Sequence, residues 1–190
     1  AHTGGSTGQP LAYYYDSHKH ELMRAGMMRS YMGAGWQPGG KLLNFWGARQ
    51  DVKPRGLRKR VGDCIAAERT IGAYEVTETD LARWVDEIGQ YRPVLLQGYA
   101  SILAELARYV QDTRARLPAT LKGVYSTAEV LHDAQRALMQ SAFGCKVFNQ
   151  YGSREIPNIA CECRHGNLHV FTDMVYLESV HEDGEDKLLV

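Results

Sequence analysis

The chain has 190 residues, of which 44% are hydrophobic and 23% charged. That length and balance are typical of one globular domain that buries its own core. Its 22 basic and 22 acidic residues cancel, which excludes a strongly basic nucleic-acid-binding protein and a polybasic membrane anchor. No apolar run approaches the roughly 18 residues that span a bilayer, and no secretory signal opens the sequence. We therefore expect a cytoplasmic protein with reduced cysteines and neither nucleic-acid nor membrane partners.

Both ends of the sequence interrupt a pattern. Residues 1–10 form a glycine-rich turn with no strand ahead of it, and residues 181–190 form a turn followed by the start of an apolar strand. Glycine-rich loops of this kind normally follow a strand. We therefore expect the central fragment of a larger enzyme. Uncovered strand edges and apolar surface would favour self-association, so we also expect a homo-oligomer.

Helical and strand patterns alternate along the chain. Helical spacing over residues 12–32 is followed by the apolar strand Leu42–Trp46 and a basic, irregular surface loop at 47–62. Thr77 or Thr79 can cap a helix that runs to Ile88. The remaining elements are a strand at 94–97, a turn at 98–99, a helix over 102–110, a strand at 121–125, a helix at 130–142, a strand at 146–149, and short strands at 159–163, 168–171, 174–179 and 187–190. This order predicts an α/β fold, with a mainly parallel sheet flanked by helices over 1–150 and a strand-rich tail over 151–190.

The segment Thr3–Pro10, TGGSTGQP, has the composition of a phosphate-binding loop. Glycines let backbone amides approach an anion, and the Ser and Thr hydroxyls add donors. The segment is not a Walker A motif, because Gln9 and Pro10 follow Gly8 where Lys and Ser or Thr would stand. A flexible loop is the alternative for this segment alone.

The segment Tyr125–Glu129, YSTAE, follows a predicted strand. The spacing of Ser126 and Glu129 fits a capping box that opens the helix at 130–142. Capping does not exclude ligand binding at the same place.

The segment Tyr151–Glu155, YGSRE, follows the strand that ends at Asn149. A glycine turn behind a buried strand lies at the carboxyl end of the sheet, where α/β folds bind ligands. The carboxylate of Glu155 could bind Mg²⁺ through oxygen. A solvated turn is the alternative.

In this order and at these separations, the three segments resemble the phosphate loop, the adenine-contacting segment and the Tyr-Gly-x-Thr-Glu segment of the adenylate-forming superfamily of acyl-CoA synthetases. The run over residues 149–180, NQYGSREIPNIACECRHGNLHVFTDMVYLESV, is most similar to the phenylacetate–CoA ligase family and its capsule-biosynthesis-like branch. Departures at Gln9, Thr127, Asn149 and Arg154 argue against phenylacetate as the substrate, but not against the superfamily.

The resemblance implies that residues 1–190 are part of the large N-terminal adenylation domain of such an enzyme. ATP would activate a carboxylic acid as an acyl-adenylate, and coenzyme A would then displace AMP. A ribose-binding Asp, a hinge and a small C-terminal domain with a catalytic Lys would follow Val190, so we expect the isolated chain to be inactive. Two alternatives stay open: a catalytically incomplete nucleotide-binding fragment, and an enzyme with an amine acceptor in polysaccharide or capsule biosynthesis.

The resemblance also implies roles for individual residues. The phosphates of ATP would lie against Thr3, Gly4, Gly5, Ser6, Thr7 and Gly8. Adenine and AMP would contact Thr127, Ala128, Glu129, Asn149, Tyr151, Gly152 and Ser153. Thr7 and Glu155 would be the catalytic residues, with Glu155 holding Mg²⁺. Gly98, Tyr99 and Tyr125 are candidates for the wall of the acyl pocket, and for the tyrosines a place in the core is the alternative.

Four thiol and imidazole side chains fall within a short stretch, at Cys161, Cys163, His165 and His169. These are the groups that bind zinc in proteins, although the spacing differs from the standard finger patterns. A structural Zn²⁺ site and buried thiols on strands are the two interpretations.

Overall fold

The structure is a computed structural model that describes residues 12–14, 16–47 and 56–190, without the side chains of residues 20 and 57–60. The helices are α1 (Ser17–Gly33), α2 (Leu57–Ala66), α3 (Glu78–Tyr91), α4 (Ala100–Thr113) and α5 (Asp133–Phe143). The strands are β1 (Leu42–Trp46), β2 (Glu68–Gly72), β3 (Leu95–Tyr99), β4 (Gly123–Thr127), β5 (Lys146–Tyr151), β6 (Ala160–Glu162), β7 (Leu168–Val170), β8 (Glu178–Glu182) and β9 (Glu185–Leu189).

Seven strands form one sheet in the order β2-β1-β3-β4-β5-β6-β7. The first five are parallel to one another, whereas β6 pairs antiparallel with β5 and β7 pairs antiparallel with β6. Strands β8 and β9 form a separate antiparallel hairpin. The predicted α/β class, with a mainly parallel sheet and a strand-rich tail, is confirmed.

The sheet is covered on both faces, as parallel sheets are. On one face, Leu43 and Phe45 of β1 pack with Trp84 of α3 and with side chains of α4 and α5. On the other face, Leu42 packs in a cluster with Tyr31 of α1. Neighbouring residues of β1 enter opposite clusters because successive strand side chains point to opposite faces. No helix in the described part of the chain is long and apolar enough to span a bilayer.

Two helix starts follow from their capping residues. The carboxylate of Asp16 accepts a hydrogen bond from the Lys19 amide at 2.7 Å, so α1 begins at Ser17 and not near residue 12. The hydroxyl of Thr77 accepts one from the Asp80 amide, and the Asp80 carboxylate accepts one in return. The predicted cap at Thr77 is confirmed, and its reciprocal bonds make it a capping box.

Two elements were missed at the β2 edge of the sheet. The predicted loop at 47–62 is wrong over its last part, because α2 begins at Leu57. Arg and Lys, which suggested a loop, are good helix formers. Strand β2 reads ERTIG and is partly buried along its length. Its mixed polarity suits an edge strand but lacks the apolar run or strict alternation that predicts a strand.

Other boundaries differ from prediction, including those of β3 and β8. Gly98 and Tyr99 continue β3 and do not form a turn; a Cβ atom at Gly98 would lie 2.9 Å from the Phe45 carbonyl oxygen. The glycine therefore permits close packing against β1. The strand predicted at 174–179 begins only at Glu178, because the amides of Met174 and Val175 both donate to the Phe171 carbonyl in a turn.

Candidate nucleotide site at the carboxyl edge of the sheet

Two of the predicted motif segments lie side by side at the carboxyl ends of parallel strands. Thr127 of β4 is in register with Tyr99 of β3, and Ser126 is in register with Asn149 of β5. The segments Tyr125–Glu129 and Asn149–Glu155 therefore leave the sheet at the same edge. This is the edge at which open α/β sheets bind ligands.

Glu129 is fixed by the first turn of α4. Its carboxylate accepts hydrogen bonds from the Ser101 amide at 2.8 Å and the Ser101 hydroxyl at 3.0 Å. A carboxylate at a helix N-terminus is favoured by the helix dipole. The predicted capping box is wrong, because α5 begins at Asp133 and Ser126 is buried with its hydroxyl unbonded. The carboxylate of Glu129 instead caps the N-terminus of α4, which lies earlier in the sequence.

Ala128 turns the chain between β4 and Glu129. Its φ is +66°, in the left-handed region that L residues other than Gly, Asn and Asp rarely adopt. The side chain is exposed. This turn directs residues 127–129 away from the sheet and across the carboxyl edge.

The loop after β5 is a closed turn. The Ser153 amide donates to the Ile156 carbonyl at 2.9 Å, and the Ser153 hydroxyl accepts from the Ile156 amide at 3.1 Å. The Ile159 amide donates to the Tyr151 carbonyl at 3.1 Å. Gly152 lies so close to the loop that a Cβ atom there would be 2.3 Å from the Pro157 carbonyl oxygen. Only glycine fits this position without a backbone shift.

Glu155 is the acidic residue of this loop. It is partly exposed and makes no hydrogen bond or ion pair with the part of the chain that the structure describes. A carboxylate without a partner suits Mg²⁺, which binds proteins through one or two carboxylates and completes its shell with water and substrate phosphates. Glu155 therefore fits the predicted magnesium site.

The predicted phosphate loop, Thr3–Gly8, lies outside the described residues, and so does the predicted catalytic Thr7. The chain is described again from residue 12. There the hydroxyl of Tyr13 donates to the Arg154 carbonyl at 2.8 Å. The segment that follows the phosphate loop thus contacts the loop that carries Glu155.

A buried chain of hydrogen bonds connects that loop to α1 and β3, and it was not predicted from the sequence. The Tyr31 hydroxyl donates to Gln97 at 2.6 Å, and Gln97 donates to Gln150 at 3.0 Å. Gln150 donates to Asn158 at 2.8 Å, which donates to the Met23 carbonyl at 2.8 Å. Buried amides need such partners. A polar residue inside an apolar run, such as Gln97 in VLLQG, was the sequence feature that could have indicated this network.

A second missed element holds the end of β5. Arg136 of α5 makes two hydrogen bonds to the carboxylate of Glu162, at 3.0 and 2.8 Å. The same carboxylate accepts from the Asn149 amide at 2.8 Å. The side chain of Glu162 is only 8% exposed. The ion pair therefore fixes the backbone just before Tyr151.

The three candidates for the acyl-pocket wall occupy different environments. Tyr125 is fully buried, stacks on Phe148, and donates its hydroxyl to the Ser30 carbonyl. Burial raises the pKa of Tyr125 above its usual value. This position matches the alternative of a core aromatic. Tyr99 packs edge-on against Trp46 at 5.3 Å, and Gly98 lies against β1.

The predicted zinc ligands do not converge. Cys161 is buried in the cluster that contains Tyr125, and burial raises the pKa of its thiol. Cys163 is in the turn after β6, where a hydrogen bond from the His165 amide lowers the pKa of its thiol. Residues 12–14, 16–47 and 56–190 contain no group of three or more His, Cys, Asp or Glu side chains that could hold a metal ion. The zinc prediction is not supported, and Cys161 is a buried thiol.

The chain resembles a curated relative in sequence. No family model matches it. It is 27% identical over 171 residues to Protein CapK of Staphylococcus aureus, a match that covers 88% of this chain and 38% of that protein. The chain therefore spans well under half the length of this relative.

Solved structures of similar fold include those of the following three proteins. A 2-hydroxyisobutyryl-CoA ligase in complex with 2-HIB-AMP and CoA has a TM-score of 0.68 at 19% identity, over 94% of this chain and 38% of that one. VinN has a TM-score of 0.64 at 16% identity, over 100% of this chain and 46% of that one. The amide bond synthetase McbA from Marinactinospora thermotolerans has a TM-score of 0.59 at 18% identity, over 83% of this chain and 30% of that one. These similarities show that the chain shares, over the length it spans, the fold of these proteins.

Proposed function

We propose that this chain carries the nucleotide-binding core of an enzyme that activates a carboxylic acid with ATP and transfers the acyl group to coenzyme A. The observation that carries the proposal is the register of β4 and β5, which brings Thr127–Glu129 and Tyr151–Glu155 to one edge of the sheet. The phenylacetate–CoA ligase family and its capsule-biosynthesis-like branch supply the detailed expectation.

In the first step, a carboxylate oxygen of the acid attacks the α-phosphorus of ATP, and pyrophosphate leaves. The residues of this chain mainly position the reactants, which is the larger part of phosphoryl and nucleotidyl transfer catalysis. Thr127 and Ala128 would lie against adenine, while Tyr151, Gly152 and Ser153 would line the AMP site. Ser6, Thr7 and Gly8 would hold the β- and γ-phosphates.

Glu155 would hold Mg²⁺, which neutralises phosphate charge when bound. The closed turn from Ser153 to Ile156 fixes the backbone beside this carboxylate. The Glu129 carboxylate is held by its hydrogen bond to Ser101. We therefore expect Glu129 to contribute by positioning Ala128 beside adenine, and not as a side chain that moves.

In the second step, the thiolate of coenzyme A attacks the acyl carbonyl, and AMP leaves. An amine acceptor is the second candidate, in an enzyme of polysaccharide or capsule biosynthesis. The similarity of the fold to an amide bond synthetase supports it. A nucleotide-binding fragment that cannot complete the reaction is the third.

Exchange of labelled pyrophosphate into ATP, measured with a panel of carboxylic acids, tests the first step. Exchange that depends on both the acid and Glu155 would support adenylation. Release of AMP is then compared with and without coenzyme A, and with and without an amine. Stimulation by coenzyme A alone supports the thioester product; stimulation by the amine alone supports the amide product. ATP binding without exchange in this chain supports the incomplete fragment.

A further inference from the structure

A cavity lies beside the candidate nucleotide site, on the face of the sheet that α1 covers. Its volume is about 510 Å³, and its walls come from α1, β1, β2 and β3. Most of the wall is apolar or aromatic, including Met27, Tyr31, Trp36 and Trp46. Pro157, in the loop closed by Ser153, also lines it. The cavity therefore extends from the nucleotide loop along the sheet.

One carboxylate faces this apolar surface. Glu68 of β2 lines the cavity and accepts a hydrogen bond from the side-chain amide of Asn44 at 2.7 Å. Glu68 makes no ion pair within the described chain. A partly buried carboxylate without a cation is unfavourable compared with one in water. A cationic group in the cavity would pair with this carboxylate.

Asn44 adds a second observation. It is 8% exposed, and its Oδ1 atom is buried without a hydrogen-bond partner among the described residues. The bond to Glu68 uses the nitrogen of the amide, so the orientation of the side chain is fixed. Leaving such an oxygen unbonded costs about 1–3 kcal/mol. The same side chain holds the Glu68 carboxylate in place at the cavity wall.

We propose that the cavity holds the remote end of the substrate acid, and that this end carries an ammonium group. The proposal rests on the proposed function for the identity of the ligand as an acid. An ammonium has three donors, which suit the oxygens of the Glu68 carboxylate. The substrate class is therefore amino-substituted carboxylic acids.

Arg24 is the other charged residue that lines the cavity. It lies on α1 and is exposed, so its guanidinium can stay in water while its stem covers apolar surface. We therefore assign recognition of the ammonium to Glu68, and we expect Arg24→Gln to leave the preference for an ammonium unchanged.

Tryptophan fluorescence of the whole chain tests the proposal without ATP. Trp36 and Trp46 line the cavity, whereas Trp84 is buried in the cluster on the opposite face. The probes are hexanoate, 6-hydroxyhexanoate and 6-aminohexanoate, which differ only at the remote end. We expect 6-aminohexanoate to bind about tenfold more tightly than either of the others, the size of one charge-assisted hydrogen bond.

Two variants identify the group responsible. Glu68→Gln keeps the shape and should abolish the tenfold preference, and Asn44→Ala should reduce it by releasing Glu68. Glu105→Gln is the charge-matched control, because Glu105 is exposed on α4 and pairs with Arg108. Circular dichroism confirms that each variant is folded. A preference that survives Glu68→Gln would overturn the proposal, and so would equal binding of the hydroxyl and ammonium probes or tighter binding of hexanoate.

The outcome is separable from that of the proposed function. A preference for the ammonium probe without pyrophosphate exchange would support the cavity assignment and favour the incomplete fragment over an adenylating enzyme. Exchange with unsubstituted acids but not with amino acids of the same length would support adenylation and contradict the cavity assignment.

Discussion

The hydroxyl of Tyr13 donates a hydrogen bond to the backbone carbonyl of Arg154 at 2.8 Å, across 141 residues of sequence. Arg154 precedes Glu155, and Tyr13 follows closely on the predicted phosphate loop. The bond therefore ties together two segments that would hold the same nucleotide, one through its phosphates and the other through Mg²⁺.

Tyr13→Phe removes this bond and keeps the ring. A neutral hydrogen bond contributes about 0.5–1.5 kcal/mol, so we expect ATP binding in the presence of Mg²⁺ to weaken by up to about tenfold. Tyr14 is 95% exposed, and Tyr14→Phe is the matched control. Isothermal titration of both variants checks this; equal affinities would contradict a role for the Tyr13 contact.

Gly152→Ala places a Cβ atom against the backbone of Pro157, at 2.3 Å from its oxygen. Because backbone cannot move aside cheaply, the loop must open, at a cost of about 1–3 kcal/mol. We expect a lower melting temperature together with loss of nucleotide binding. Gly89→Ala is the control, since nothing lies within 4 Å of that site in α3; it should stabilise the helix by up to about 1 kcal/mol.

Glu162→Gln breaks the ion pair with Arg136. Fully buried pairs cost about 3–5 kcal/mol when one partner is removed. Arg136 is 27% exposed, so we expect a smaller loss, about 2–3 kcal/mol. Urea unfolding measures it. Glu105→Gln breaks an exposed pair and should cost at most about 1 kcal/mol. Equal losses in the two variants would show that Glu162 does not hold the end of β5.

The partly buried thiol of Cys145 predicts a loss of stability at high pH. Burial raises its pKa from the usual 9.0 to about 11. The folded state therefore keeps a proton that the unfolded state releases, so stability is complete below pH 9 and falls as the pH rises toward 11. Between these limits we expect the free energy of unfolding to fall by about 1–2 kcal/mol more than in Cys145→Ala. Parallel pH profiles would contradict the assignment.

Local signals in the sequence predicted much of the sheet and its helices. Leu42–Trp46 is a strand because its residues are apolar and buried on both faces. Thr77 starts α3 through bonds to a residue three positions away. The glycine that follows an apolar run likewise predicted the YGSRE turn at the end of β5. Each of these features depends on neighbours in the sequence.

The features that escaped prediction depend on distant partners. Glu129 bonds to Ser101, 28 residues earlier, because β3 and β4 are adjacent and parallel. Glu68 faces a cavity only because β2 lies beside β1. The order of parallel strands cannot be obtained from one sequence, so neither contact could be predicted. The predicted zinc ligands failed for the same reason, since Cys161 turns into the core and leaves Cys163 in the turn.

The central claim is that Glu155 completes a site for ATP and Mg²⁺ at the carboxyl edge of the sheet. Isothermal titration of the chain with ATP, with and without Mg²⁺, beside Glu155→Ala tests it most directly. The account predicts that Mg²⁺ strengthens ATP binding and that Glu155→Ala removes that gain, about tenfold or more, while leaving metal-free binding unchanged. Binding of ATP and Mg²⁺ that is the same in the folded variant and the wild type would contradict the claim.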